Sequence, residues 1–291
     1  MDLLTTAEVA EYLRLKERKI YDLVSQGEIP YARVTGKLVF PRQAIDLWVM
    51  QHLEGDQAGT ANTPPVYAGS SDPLLDWALR EAGTDLAQLC NGSGDGVVRL
   101  LDGRAQVAGI HTINSRTGQF NDPAHCRLGG MRDLVMVRWA RRTQGLVLPA
   151  GNPLGIRGIE DLKRTDLCIC QRQPGAGAQA LLLYLMDRAG LHLPPSPRPG
   201  HIALDEDAVA IEISSGQADC GLAIEAAARR HGLDFIPLID EPLDLAMKRR
   251  DYFEPPMQRL IAFTHTDLFR DYAAGMRGYD LSECGKVLFN A

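Results

Sequence analysis

The sequence predicts an α/β protein built in two parts, and three observations carry that expectation. Two short helical patterns meet at a tight joint and run into a hairpin within the first 53 residues. A stretch without apolar periodicity follows, Glu54 to Pro65, rich in small and turn residues as an interdomain linker is. From Val66 onward apolar runs alternate with helical patterns, which argues for a mainly parallel sheet with helices on both faces.

Composition fits this picture. The 291 residues are 45% apolar and 23% charged, ordinary for a folded globular chain. A net charge of −6 argues against a chain that coats nucleic acid everywhere, but leaves room for a local basic patch. The six cysteines, at 90, 126, 168, 170, 220 and 284, include no CxxC pair, so buried reduced thiols are expected and no metal. The first residues lack a basic and apolar leader, and no apolar run approaches ~18 residues. A cytoplasmic protein without a membrane partner is expected.

Thr5 or Thr6 caps a first helix whose apolar face is Val9, Ala10 and Leu13. A break at Arg14-Leu15 leads to a second helix, Lys16 to Ser25, which Gly27 closes. Tyr31–Val34 and Leu38–Phe40 flank Thr35-Gly36-Lys37 as a hairpin, and Pro41-Arg42 opens a third helix. Charge in this part is sorted: Glu8 and Glu11 lie on the first helix, whereas Arg14, Lys16, Arg18 and Lys19 crowd the turn and the second. Arg33 and Lys37 add a basic hairpin, and cations so placed suit a phosphate track.

Leu3 through Leu13, Ile29-Pro30, Gly36-Lys37 and Phe40-Pro41 together resemble the excisionase-type winged helix-turn-helix, a relative of the MerR group. The resemblance covers residues 1–53 and implies that the helix from Lys16 enters the major groove of double-stranded operator DNA while the hairpin touches the backbone. Tyr21 and Thr35 join the basic residues as implied contacts.

Further along, Val66–Gly69 reads as a strand and Leu74–Ala82 as a helix with Pro73 in its first turn. Leu86–Cys90 is the next strand, and Asn91 to Gly96 a glycine-rich turn into a helix from Val97 to Leu101. Val107–His111 and Leu146–Leu148 are strands, and a helix lies near Ile159–Lys163. Leu167–Cys170 leads through Gln171–Gln179 into a helix from Ala180 to Ala189. A helix at Ala208–Ser215, a strand at Cys220–Ala223, a helix at Glu225–His231 and a strand at Phe235–Leu238 complete the alternation.

Three of the strand-to-helix turns carry small or hydroxyl residues: Ser70-Ser71, Asn91-Gly92-Ser93-Gly94, and Gln173 to Gly177. Helix N-termini gather at strand ends in such folds and present free N–H groups to a polar or anionic ligand. Glycine turns are also how α/β folds simply connect. The segments Gly69-Ser70, Gly92-Ser93, Ala108–His111, Gln144–Val147 with Gly151-Asn152-Pro153, Arg172-Gln173 with Gly175 and Gly177, Gly216–Gly221, and Glu225-Ala226-Ala227 resemble the periplasmic-binding-protein-like sensor domain of cytoplasmic regulators, in the class of molybdate- and tungstate-binding proteins. The resemblance implies a type II fold over 66–291. One lobe would span about 66–145 and 241–291, the other about 146–240, with the ligand between them. It implies ligand contacts from Ser70, Ser71, Asn91, Gly92, Ser93, Gly94 and His111 on one side. From the other come Arg172, Gln173, Gly175, Ala176, Gly177, Ala178 and Glu225.

This chain departs from the family in its glycine loop, where hydroxyl residues and a final Arg are replaced by Ala176, Ala178 and Gln179. Losing a charge-assisted donor weakens or redirects anion binding. Arg172 either compensates or serves as a structural residue, and Asp95 and Glu225 add negative charge nearby. No nucleophile–base order, metal-ligand spacing or phosphate loop is present, so no enzyme is expected. The function expected is a one-component, homodimeric transcriptional regulator, its effector molybdate, tungstate or a molybdenum-cofactor-related compound. It would control genes for oxyanion uptake, cofactor assembly or a molybdo-enzyme. The alternative is a binding or storage protein with a non-regulatory DNA head.

Overall fold

The computed structural model describes residues 2–51, 63–197 and 202–291. The chain divides into two units, Met1–Asn62 and Thr63–Ala291. Most of the expected linker therefore lies outside the described residues. Its last three, 63–65, join the second unit, where the Pro65 carbonyl accepts from Ala87 N–H at 2.9 Å.

In the first unit, β1 (Leu3–Leu4) leads to α1 (Thr6–Tyr12) through a reciprocal cap. Glu8 N–H donates to Thr5 Oγ1 at 3.3 Å while Thr5 N–H donates to the Glu8 carboxylate at 2.7 Å. α2 (Glu17–Gln26) ends on Gly27 in the left-handed region, φ +69°. β2 (Ala32–Val34) and β3 (Lys37–Pro41) are joined by Thr35 and Gly36, both at positive φ, which is the two-residue turn whose twist matches its strands. α3 (Arg42–Gln51) follows. Val9, Ile20, Leu23, Phe40 and Ile45 form the core. β1 pairs antiparallel with β3, so the wing has three strands where the sequence showed a hairpin.

The second unit opens with β4 (Val66–Gly69), α4 (Pro73–Glu81), β5 (Ala87–Leu89), α5 (Ser93–Leu101) and β6 (Val107–Ile110). A long strand follows, β7 (Leu134–Leu148), and then a single 3-10 turn, Ile159–Lys163, where the sequence suggested an α-helix. Next come β8 (Ile169–Arg172), α6 (Gly177–Arg188), β9 (Ile202–Ala203), α7 (Glu206–Ser214), β10 (Cys220–Ile224) and α8 (Glu225–Arg230). A second long strand, β11 (Asp234–Lys248), leads to α9 (Arg249–Phe253), α10 (Pro255–Thr264) and α11 (Asp267–Ala274). Two short strands end the chain, β12 (Tyr279–Asp280) and β13 (Val287–Asn290).

These strands form one sheet in the order β5-β4-β6-β11-β7-β10-β8-β9, with β12 and β13 also on β7. β4 pairs parallel with β5 and β6, and β8 pairs parallel with β10 and β9. β7 and β11 run antiparallel to each other and to all their other neighbours. The sheet is therefore mixed, and the expectation of a mainly parallel one is corrected. Its cause is the pair of 15-residue strands, of which the apolar pattern marks only 146–148 and 235–238.

Both long strands serve two cores. Trp139, Val137, Leu243 and Leu245 pack with Tyr67, Leu74 and Phe269 on one side of the molecule. Leu146, Leu148 and Ile236 pack with Leu162, Leu181 and Leu222 on the other. Between the two, the strands press together at Gly145, where a Cβ would lie 2.1 Å from the Ile236 carbonyl oxygen and 2.6 Å from the Phe235 ring. Backbone cannot yield there as a flexible side chain would. Gly145→Ala should lower unfolding free energy by about 1–3 kcal/mol in urea titrations, the usual cost of overpacking.

Candidate functional site

The site begins where β4 ends. Gly69 stands at φ +110°, and a Cβ there would lie 2.3 Å from the Gly109 carbonyl oxygen on β6, so the position admits only glycine. This close approach lets Ser70 N–H donate to that carbonyl at 3.0 Å and sets Ser70 Oγ 2.8 Å from Ser93 Oγ, both side chains buried. Ser93 is the first residue of α5, and its hydroxyl also accepts from His111 N–H at 3.1 Å. The two hydroxyls own two protons and need only one for their mutual bond. One O–H is left to donate to something else.

α5 starts at Ser93, four residues before the expected Val97, and the reason is packing. A Cβ at Gly96 would lie 2.6 Å from Gly69 Cα, so the glycine is a helix position that admits β4. Likewise α6 starts at Gly177 and not Ala180, and a Cβ at Gly177 would lie 1.9 Å from the His111 carbonyl oxygen. That contact joins the lobes. So does the bond from Gly94 N–H to the Gly175 carbonyl, 3.2 Å, with Gly175 at φ +86°. The N-termini of α5 and α6 thus meet, and no side chain caps either one. In α6 the first N–H to find a carbonyl is that of Ala180, to Ala176 at 3.2 Å, leaving those of Gly177, Ala178 and Gln179 outside the ladder. Two positive helix ends facing one another favour an acceptor or anion beside them. Asp95, in the first turn of α5, is already held by Arg99 at 2.6 Å.

Ser70, Gly92, Ser93 and Gly94 are therefore brought to His111, Gly175, Ala176 and Gly177. The remaining expected residues are engaged elsewhere. Arg172 donates to the carbonyls of Ala203 and Leu204 and pairs with Glu206, each at 3.1 Å, so its guanidinium ties β8 to the start of α7. Gln173 donates to the same Leu204 carbonyl, and Ala178 packs in the second core. Ser71 donates to Asp76 at 3.0 Å, and Asn91 is exposed. Glu225 pairs with Arg229 at 3.0 Å and lies against Gly278.

Behind the helix ends runs a buried chain of charges that the sequence reading missed. Asp72, the N-cap of α4, accepts from Arg142 at 3.0 Å and from the Tyr279 hydroxyl at 2.7 Å. Arg142 on β7 also pairs with Glu241 on β11, which accepts from Gln144 at 2.9 Å and lies 3.0 Å from His111 Nδ1. Asp72, Arg142, Gln144, Glu241 and His111 are all buried. Burial alone would raise the Glu241 carboxyl, but His111 and Arg142 overcome it and hold the group at about 2. An ionised Glu241 fixes Nδ1 of His111 as the protonated nitrogen. Arg142 Nε and Gln144 Oε1 are buried with no partner among the described residues. The available signal was polar residues, Arg138, Arg142 and Gln144, set in an otherwise apolar run.

A cavity of about 700 Å³ opens beside the helix ends, with Gly94, Gly175, Ala176 and Gly177 in its wall. Among the described residues no group of three His, Cys, Asp or Glu side chains is placed to hold a metal. Burial pushes the Cys170 thiol up to about 11 and those of Cys90, Cys220 and Cys284 to about 12, so they stay protonated at neutral pH.

On the first unit, Arg14, Lys16, Arg18, Lys19, Tyr21, Arg33, Thr35 and Lys37 are all exposed. Among the described residues no carboxylate pairs with any of these cations; the ion pair in this unit joins Arg42 to Asp2. Thr35 stands at the tip of the wing, and Arg14 takes φ +54° at the joint between α1 and α2.

Comparison with known proteins places this geometry. The family model described as PBP superfamily domain matches residues 76–265, and one described as helix-turn-helix domain matches 3–52. The uncharacterised protein YvgK of Bacillus subtilis (strain 168) is 26% identical over 301 residues, covering 98% of this chain and 97% of that one. A phosphate ABC transporter substrate-binding protein of Clostridium perfringens, solved with bound phosphate, has a TM-score of 0.53 at 12% identity, covering 72% of this chain and 96% of that one. PhnD1 of Prochlorococcus marinus (MIT 9301), in complex with methylphosphonate, has a TM-score of 0.50 at 11% identity, covering 75% and 92%. These two likenesses are of fold.

Replacing Glu241 strands Arg142 and His111 in the interior. Glu241→Gln should cost about 3–5 kcal/mol in urea unfolding at pH 7, as removing one partner of a buried pair does. Its carboxyl is depressed from an ordinary 4.5, so the stabilisation is full above that pH and is lost as pH falls towards 2. The variant should show a flatter acid limb across that window.

Proposed function

The chain belongs to the PBP superfamily and carries a helix-turn-helix domain ahead of that domain, and from that premise we propose that it is a DNA-binding regulator sensing a small anion. The observation that carries the reading is the meeting of two uncapped helix N-termini beside a spare hydroxyl proton. Each of these features is a surplus donor, and a ligand rich in acceptors satisfies them together. For the effector we propose molybdate, tungstate or a molybdenum-cofactor-related compound. The proposed targets are genes for oxyanion uptake, cofactor assembly or a molybdo-enzyme. The resemblance of the turn residues supports this choice. So does the phosphate or methylphosphonate held by proteins of similar fold.

The mechanism is a shift between open and closed lobes. Contacts of Gly94 with Gly175 and of Gly177 with His111 exist only when the lobes meet. An anion seated there favours the closed form by its differential affinity and by no other means. Closure then changes how the heads of a homodimer are presented to two half-sites. On each head, unpaired Lys16, Arg18 and Lys19 supply the phosphate contacts.

DNA binding is tested by fluorescence anisotropy on the region upstream of the protein's own gene. Lys16→Ala, Arg18→Ala and Lys19→Ala combined should weaken binding at least 100-fold and lower the salt slope by about 3, roughly one per phosphate contact. Unchanged affinity and slope would remove the regulator reading and leave the storage alternative. For the ligand, native mass spectrometry of protein taken from its host should show a bound anion, and molybdate or tungstate should raise the unfolding midpoint. Release of a neutral or cationic molecule sinks the anion reading. If neither oxyanion shifts the midpoint at millimolar concentration, the bare-oxyanion version fails.

A further inference from the structure

We infer that the anion sensed by this site is carried on an organic body, a phosphate or carboxylate with an uncharged, partly apolar remainder that fills the cavity beside the helix ends. The inference rests on the anion reading and deepens it.

Size is the first ground. The cavity of about 700 Å³ lies in the range of sites that enclose whole organic ligands, about 300–1,000 Å³. A tetrahedral oxyanion displaces the volume of only a few waters, each about 30 Å³, and so occupies on the order of a tenth of that space. Leaving the remainder to water would be wasteful of its apolar wall.

Wall chemistry is the second ground. Away from the helix ends the cavity is bounded by Ile113, Pro174, Leu183 and Ile202, which suit an apolar or aromatic surface. Arg172 also borders it, but its charge is met by Glu206 at 3.1 Å, so a second anionic group on the ligand would find no free cation there. His125, exposed on the other lobe, is the remaining titratable side chain of the wall.

Gln171 adds a specific demand. The Arg172 N–H donates to Gln179 Oε1 at 2.8 Å, which fixes which end of that amide is oxygen. Gln179 Nε2 then donates to Gln171 Oε1 at 3.4 Å, which fixes the second amide in turn. The Gln171 NH2 is left as a donor on a residue that lines the cavity. The organic body therefore carries an acceptor, such as a carbonyl oxygen or ring nitrogen, that can reach this amide. Gln179, which stands where the family carries an Arg, thus spends its amide on orienting Gln171.

The test uses the full-length chain and isothermal titration with inorganic phosphate, molybdate and phenyl phosphate. Phenyl phosphate is expected to bind at least 10-fold more tightly than inorganic phosphate. Leu183, on the exposed flank of α6, is a place where a larger side chain can enter the cavity without disturbing a core. Leu183→Trp should erase the preference, bringing phenyl phosphate to the affinity of inorganic phosphate while leaving the latter within twofold. Equal affinities in the unaltered protein, or a preference that survives Leu183→Trp, overturn the inference and leave the anion seat standing. If none of the three anions binds, the seat itself is refuted and the inference falls with it.

Discussion

One buried cation holds the sensor unit in register. Arg142 lies midway along the antiparallel pair of long strands, with Asp72 on one side and Glu241 on the other. A guanidinium so fully removed from water is tolerable only when its charge is matched and its donors are directed. Its partners on β7's two sides come from separate parts of the chain, the cap of α4 and β11, with His111 just after β6 attached through Glu241. The middle of the long strand pair, the α4 cap and the end of β6 are therefore tied by one set of bonds. The helix ends that form the candidate site are placed by what those bonds hold.

That interaction also explains which parts of the fold were legible in the sequence. The helix-turn-helix reads off directly, because Thr5, Gly27 and Gly36 mark its ends and turn by local rules that tertiary contacts leave alone. β4, β6 and β10 read as strands because they are apolar almost throughout, and β8 because the apolar run Leu167–Cys170 leads into it. β7 and β11 do not, since Arg138, Arg142 and Gln144, or Glu241 and Asp244, interrupt the pattern that defines a buried strand. Their burial depends on partners about a hundred residues away, which a window along one segment does not contain. The error in sheet direction follows from the same omission: without the long strands, alternating strands and helices imply parallel pairing.

Within the site the glycines were recognised but their work was misread. Gly94, Gly96 and Gly177 read as turn residues in the sequence, and each lies inside a helix at a point of backbone contact. Gly69, Gly92 and Gly175, at positive φ, are the ones that turn. Arg172 shows the converse limit. Both roles were open from sequence, and only the carbonyls of Ala203 and Leu204, some thirty residues on, identify it as a brace.

The two lobes also differ in how they are threaded, and synthesis from the N-terminus gives that difference a direction. The lobe that includes α6 and α7 is nearly continuous, whereas β13 returns from the last residues to pair with the start of β7. Val137 must wait for Val287 before that part of the sheet is complete, while the helix-turn-helix core is already wholly emerged. Nascent chains therefore own a finished helix-turn-helix core before the sheet of the second unit is complete. Until β13 arrives, the start of β7 keeps an exposed strand edge, which is the kind of surface that makes partly folded chains prone to aggregate.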